Sequence, residues 1–434
     1  MCVREPLPLC NACMHRSHIP ARGNLSESFC GLRPRPKEGE SMNLYQEKMR
    51  QACGIVQEEG VDVWLIIARE TIMNNDPVLQ LISPVEFGGM TCIFITREGS
   101  SIALASQLDN VGLEQTKTYD EIVCYGMDFE AGFAAMMQRL APKTVALNYS
   151  RDVAADGLTH GMYLYLMELF TKCGFNGEIT SAERIIGKLR GRKTPEEIHR
   201  IRKATKVTER ILHEVTDFIT EGVSQKDIYD FCQKRIKHYG VEDAWDHDQN
   251  PGVFIGPNPV IGHAGPGNRR AEKGNLINLD FGVKVDGYCS DIQRTYYLPC
   301  DGETDVPQVY KEHLANLHRA IDKGVALMKP GNAGWQPDRA ARDGLIEQGY
   351  PEFKYSFGHQ VGRAAHDGGV SMTRHRLGGA GEALLEEGLV LTIDANLYLD
   401  RGRIGQEDVA YITKNGAEFI SERQDAIWIC NGKN

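Results

Sequence analysis

Two stretches in the second half of this chain repeat one another. Glu272-Lys-Gly-Asn-Leu-Ile-Asn-Leu-Asp280 and Glu386-Glu-Gly-Leu-Val-Leu-Thr-Ile-Asp394 each run from an acidic turn through a Gly into an apolar strand ending on Asp. Each strand then turns, and the returning segment carries a second carboxylate, Asp291 in the first copy and Glu407 in the second. In the first copy Asp286-Gly287 suits a two-residue hairpin loop. Residue 285 then faces 288 and 280 faces 293, so Asp280 and Asp291 are diagonal neighbours on one face. In the second copy Asp400-Arg401-Gly402, taken as a three-residue loop, would send Asp394 and Glu407 to opposite faces. A one-residue bulge at Gly402 or Gly405 is therefore expected. Carboxylates inside apolar strands are costly to bury unpaired, and a cation between them removes that cost. A single such hairpin is ordinarily a solvated polar face; two copies in one domain favour a metal site.

Histidines accompany the repeat. The segment from Tyr355 to Gly369 carries His359 and His366 seven residues apart, among glycines that allow close backbone approach. His263 lies in Gly262-His263-Ala264-Gly265, ahead of the first carboxylate strand. Around it, Trp245, Asp246, His247 and Asp248 form either a substrate rim or a solvated acidic loop. Arg374-His375-Arg376 offers cations for a substrate carboxylate. Gly378-Gly379-Ala380-Gly381 lacks the strand and Lys-Ser/Thr context of a phosphate loop and reads as a flexible loop.

The rest of the chain divides around these motifs. Residues 1–41 hold Pro6, Pro8, Pro20, Pro34 and Pro36, several Arg and no apolar period, so they are expected to be disordered, or an extension ahead of a start at Met42. Their Cys10-x-x-Cys13 with His15 and His18 has zinc-ligand residue types but not the spacing of a common finger. Residues 42–187 read as an α/β domain: a helix from Met42 to Glu59, strands near 61–68, 91–96, 102–105, 121–125 and 144–148, and a helix over 156–173. Lys188 to Lys193 reads as a basic linker. Thr194-Pro195-Glu196-Glu197 then opens a helix with a capping box, and the second domain runs over 188–434.

Composition excludes several classes. With 41% hydrophobic and 25% charged residues the chain has a globular balance, and no apolar run reaches a membrane span. No secretory signal pattern opens the chain. A net charge of −10 argues against nucleic acid as a partner. Cysteines at irregular spacing suit a reduced, cytoplasmic protein.

Taken in order and spacing, the segments KTPEEIHRIRKAT, LINLDFGVKVDGYCSDIQRT, GHxxG followed by His366, and QED near the C-terminus resemble the pita-bread metallopeptidases, the group of Xaa-Pro aminopeptidase, prolidase and creatinase. The similarity covers about residues 42–434. It implies an α+β pita-bread catalytic domain with pseudo-two-fold halves, behind an α/β N-terminal domain. It also implies two divalent metal ions, Mn²⁺ first, with Zn²⁺, Co²⁺ or Fe²⁺ also suited. Asp280 would bind one, Asp291 and Glu407 would bridge both, and His359 and Asp394 would complete the second. A hydroxide bridging the metals would attack the Xaa-Pro bond of a short peptide. His263 and His366 would hold the carbonyl or oxyanion, and Asp394 would shuttle a proton. A homodimer is implied as well.

The chain departs from that pattern at several points. Asp394, in Asp-Ala-Asn, stands where the peptidases usually have Glu in an E-P-G context. Gly405 stands where Arg is usual, with Arg403 two residues earlier as a substitute. Tyr355 replaces a His found in many aminopeptidases P, and Asp367 follows the second His, where Glu or Asp is usual. These departures keep two alternatives open: a creatinase-like C–N hydrolase or lyase acting on a small molecule, with or without metal, and a non-catalytic binding protein on the same scaffold.

Overall fold

The computed structural model describes residues 43–257 and 265–432. The tail motif Cys10-x-x-Cys13 and the residue His263 lie outside the described residues.

Ten helices can be placed among them: α1 (Leu44–Glu59), α2 (Leu79–Ile82), α3 (Gln107–Thr116), α4 (Phe129–Leu140), α5 (His160–Lys172), α6 (Glu183–Gly191), α7 (Pro195–Phe218), α8 (Gln225–Tyr239), α9 (Gln308–Val325) and α10 (Trp335–Ile346). None is long and apolar enough to cross a membrane. In the first part of the chain, strands β1 (Val63–Ala68), β2 (Thr91–Thr96), β3 (Ser101–Ala105), β4 (Glu121–Cys124), β5 (Thr144–Leu147) and β6 (Glu178–Ser181) form a mixed sheet of order β4-β3-β2-β1-β5-β6. β1, β2 and β3 are buried along their whole length, as their unbroken apolar runs require. One face packs on α1 and α6 through Val56, Trp64 and Ile186, the other on α4 and α5 through Phe94, Phe133 and Phe170. Asn43 caps α1 in a capping box, and Gly60 ends it in the left-handed conformation.

The remaining strands are β7 (Glu242–Asp243), β8 (Gly252–Ile255), β9 (Leu276–Phe281), β10 (Val283–Val285), β11 (Tyr288–Cys289), β12 (Ile292–Tyr297), β13 (Gly358–His359), β14 (Ser371–Met372), β15 (Val390–Leu399), β16 (Gly402–Thr413), β17 (Gly416–Phe419) and β18 (Trp428–Ile429). The main sheet runs β15-β16-β12-β9-β8, with β17 beside β16 and β18 beside β12. Its hairpins β9–β12 and β15–β16 form two matching halves, as the resemblance implies. α7 and α8 cover one through Ile201, Ile211, Ile228 and Cys232, and α9 and α10 cover the other through Leu317, Ile321, Ala341 and Leu345. Thr194 accepts from the Glu197 N–H while the Glu197 side chain accepts from Thr194 N, the expected capping box.

Both hairpins meet the sequence expectation of shared faces, by different routes. In the first, Val285 pairs Tyr288 and Asp280 pairs Gln293, as the Asp286-Gly287 loop requires, with φ of 50° and 78° at its two residues. In the second the expected bulge is absent. β15 and β16 pair without interruption from Val390↔Tyr411 to Leu399↔Gly402, with Asp394 directly opposite Glu407. The loop is the two residues Asp400-Arg401, and Gly402 is the first residue of β16. At φ 141°, Gly402 lies against Leu276, whose carbonyl oxygen would sit 2.6 Å from an added Cβ.

The basic run Lys188 to Lys193 is not a linker. Its first four residues close α6, and Leu189, Arg190, Gly191 and Lys193 are buried. Sequence alone misjudges it because the partners of its charges, Glu58, Asp367 and Glu386, lie more than a hundred residues away.

Gly402→Ala should destabilise the protein by about 2 kcal/mol or more, since Ala tolerates neither the backbone angle nor the approach of Leu276. Urea unfolding reads this directly. An unchanged midpoint would mean that the β9–β16 approach is looser than described.

Candidate metal centre

The two hairpins lie side by side, and their seam decides what their side chains can do. Gln293 of β12 pairs Glu407 of β16. With Asp280 opposite Gln293 and Asp394 opposite Glu407, one lateral row, Asp280–Gln293–Glu407–Asp394, crosses four adjacent strands on a single face. Asp291, two residues before Gln293, projects beside the row. Side chains hold the seam: Gln293 Nε2 donates to Glu407 Oε2 (2.7 Å), Arg294 Nη1 to the Glu407 carbonyl (2.8 Å), and Asn278 Nδ2 to the Gly405 carbonyl (3.0 Å).

His359 reaches the row from above. Its short strand β13 lies against β15, where the Asp394 N–H donates to the Phe357 carbonyl (2.7 Å) and the His359 N–H to Thr392 Oγ1 (3.2 Å). Gly358 makes this approach possible, because a Cβ there would lie 2.0 Å from the Thr392 oxygen. His359 Nε2 stands 3.6 Å from both Asp291 Oδ2 and Glu407 Oε1. One donor atom each from Asp280, Asp291 and Glu407 lies within 4.8 Å of the others, and the same holds for Asp291, His359 and His366. The His359 and His366 rings meet edge to face at 4.2 Å. Asp394 lies outside both close groups.

Four carboxylates thus converge, and among the described residues none of them pairs with a Lys or Arg. Burial and then the charge of Glu407 push the Asp280 carboxyl up to about 7. Burial, followed by the charges of Glu407, Asp280 and Asp394, holds Asp291 well above the usual range. Burial and the Glu407 charge do the same to Asp394. For Glu407 burial acts in the same upward direction, but hydrogen bonds and charge from His359, with bonds from Gln293 and Thr392, bring it below its ordinary value. Asp394 Oδ1 is buried with no hydrogen-bond partner. Excess negative charge, an orphaned carboxylate oxygen and one imidazole nitrogen fit divalent cations of hard to borderline character.

The row faces a cavity of about 1040 Å³. Trp245 and Asp246 line it, as do Tyr355, Arg374, Arg376 and Arg403. The acidic loop is thus part of the rim. His375 is not on the wall; it pairs with Glu382 at 3.0 Å. The Gly378 loop ends in a 3₁₀ turn, Ala380–Glu382, where the Gly378 N–H donates to Glu382. Arg403 is buried, with Nε on Asn278 Oδ1 (2.6 Å), a second bond to Gln293 and its guanidinium 4.0 Å from the Phe254 ring centre. Asn278 and Gln293 fill the space that a side chain at Gly405 would need, each 2.9 Å from the position of its Cβ. Sequence reasoning missed Gln293 and Asn278. The register of the first hairpin was the available signal for Gln293, since it puts residue 293 opposite Asp280.

A model of metallopeptidase family M24 matches residues 199–414. An uncharacterized peptidase of Bacillus subtilis is 28% identical over 271 residues, 61% of this chain and 71% of its own length. A protein named Xaa-Pro dipeptidase from Pyrococcus horikoshii is 25% identical over 393 residues, 88% of this chain and 99% of its own. The crystal structure of X-Pro aminopeptidase from Thermotoga maritima superposes with a TM-score of 0.65 at 23% identity, covering 86% of this chain and 99% of that one.

The raised carboxyls set the pH dependence of the metal-free protein. The folded-state pKa of Asp280, Asp291 and Asp394 lies above the unfolded one, at about 7 for Asp280, so the folded state binds more protons and loses stability as pH rises toward and through that value. Metal-free protein should therefore unfold at lower denaturant at pH 8 than at pH 5, and divalent metal at pH 8 should reverse the difference. Equal midpoints without metal would contradict the crowding of these carboxylates.

Proposed function

We propose that this chain, which belongs to metallopeptidase family M24, hydrolyses the Xaa-Pro bond of short peptides at a centre of two divalent cations. The observation that carries the reading is the lateral row of carboxylates, without a Lys or Arg pair among the described residues and joined by His359. A Pyrococcus horikoshii relative named Xaa-Pro dipeptidase, matched over 99% of its length, supports the choice of bond.

In this reading Asp280 would hold one cation, Asp291 and Glu407 would serve both, and His359 and Asp394 would hold the other. Mn²⁺ suits four carboxylates and one imidazole; Zn²⁺, Co²⁺ and Fe²⁺ are also accommodated. Two such ions, when bound, supply Lewis acidity for the peptide carbonyl and acidify a water for attack near neutral pH. The protein's own residues do the rest. Gln293 keeps the Glu407 carboxylate turned toward Asp291 and His359. Asp394 takes a proton at Oδ1 and delivers it to the leaving nitrogen. His366, exposed to the cavity beside His359, donates to the carbonyl oxygen as negative charge grows there, and His263 is assigned the same task. Arg374 and Arg376 on the wall receive a substrate carboxylate. The reading carries with it a cytoplasmic location and a homodimer.

One observation favours a second reading. Asp394 is a methylene shorter than Glu and stands outside both close donor groups. A centre weakened there would suit a creatinase-like C–N hydrolase or lyase with little or no metal.

A panel of Xaa-Pro dipeptides, longer Xaa-Pro peptides and guanidino compounds, assayed with and without Mn²⁺, separates the two. Proline release that needs metal is expected, and Gln293→Leu should lower metal affinity or turnover about 10–100-fold. Metal-independent turnover of a guanidino compound, with no proline release, would overturn the peptidase reading.

A further inference from the structure

The basic run that closes α6 has its partner next to the metal centre. Asp367, the residue after His366, is buried, and its two oxygens are taken by two cations: Oδ1 by Arg190 Nη1 (2.9 Å) and Oδ2 by Lys193 Nζ (3.0 Å). Arg190 also donates through Nη2 to the Pro77 carbonyl (2.9 Å), and Lys193 to the Arg190 carbonyl (2.6 Å). A second buried pair adjoins them. Lys48 of α1 lies 3.1 Å from Glu197, which also accepts from the Tyr288 hydroxyl (2.9 Å) at the end of the first hairpin. Three cations therefore surround two carboxylates at the junction of α1, α6 and α7.

Stability does not explain such a cluster, because buried ion pairs seldom stabilise more than apolar side chains of the same volume. Geometry does. The backbone on both sides of His366 is shaped around Asp367. Before it, a Cβ on Gly362 would lie 2.1 Å from Asp367 Oδ2 and 2.8 Å from Lys193 Nζ. The Asp367 N–H itself donates to the Gln360 carbonyl (2.9 Å). After it, Gly368 takes φ +73° and passes so near Ala154 that an added Cβ would be 2.7 Å from the Ala154 Cβ. The intervening His366 ring is left exposed to the cavity, edge-on to His359.

We infer that Arg190, Lys193 and Asp367 are positioning residues: an ionic clamp by which the N-terminal part of the chain, through α6, fixes His366 at the reaction site. The inference rests on the proposed role of that site. Arg190 is the member best suited to test it, because its planar fork serves Asp367 and Pro77 at once, and Lys keeps the charge but cannot span both.

The full-length, Mn²⁺-loaded protein is compared with Arg190→Lys, His366→Ala and the double variant, using an Xaa-Pro dipeptide. Arg190→Lys should lower kcat about tenfold or more while KM moves less than about threefold. Metal content and melting temperature should stay near those of the parent. In the His366→Ala background the same change should cost almost nothing, because the clamp acts through the removed ring. Equal losses in both backgrounds, or a loss that tracks metal content, would overturn the inference. If the parent turns over no Xaa-Pro peptide, the functional reading fails and the clamp is judged separately. In that case the His366 ring signals, assigned by their disappearance in His366→Ala, are followed by NMR in metal-free protein. They should shift in Arg190→Lys, and an unchanged position would refute the clamp.

Discussion

The bond from Gln293 Nε2 to Glu407 Oε2 joins the two halves of the catalytic sheet where their carboxylates meet. Each hairpin alone presents two carboxylates on one face. The row becomes a single site because β12 and β16 meet with Gln293 opposite Glu407. A slip of one residue in either strand would turn its carboxylate to the other face, where the helices pack. The seam is held largely by side chains, with Asn278, Arg294 and Thr295 all reaching across to β16. Register, and with it the site, therefore depends on a few polar residues inside an apolar sheet.

That arrangement carries a charge problem which binding resolves. Folding brings Asp280, Asp291, Asp394 and Glu407 together with no Lys or Arg pair among the described residues and with the His359 and His366 imidazoles at hand, so protons or metal ions must make up the balance. Arg403 lowers the load on Asp280 and Asp394 from a distance but is occupied by Asn278 and Gln293. The exchange at Gly405 is thus local: Asn278 and Gln293 take the space, and the guanidinium enters from residue 403.

Much of this was legible in the sequence where a short-range rule applied. The Asp286-Gly287 turn fixed the first register, and Thr194-Pro195 through Glu197 fixed the start of α7. The second hairpin was misjudged at one residue: Gly402 looked like loop and is strand, so a bulge was expected where none exists. The basic run 188–193 was misjudged for the opposite reason. Its chemistry is set by Asp367, Glu58 and Glu386, which no local pattern connects to it. Asn278 was hidden in the same way, because the glycine it compensates is 127 residues away.

The central claim is that the row and His359 together hold two divalent cations. Metal per chain, measured by elemental analysis after Mn²⁺ loading and desalting of the parent protein and of Asp291→Asn, tests it most directly. About two ions are expected in the parent and a loss of both in the variant, because in the proposed centre Asp291 would serve both cations. A parent that keeps no metal, or a variant that keeps both ions, would contradict it.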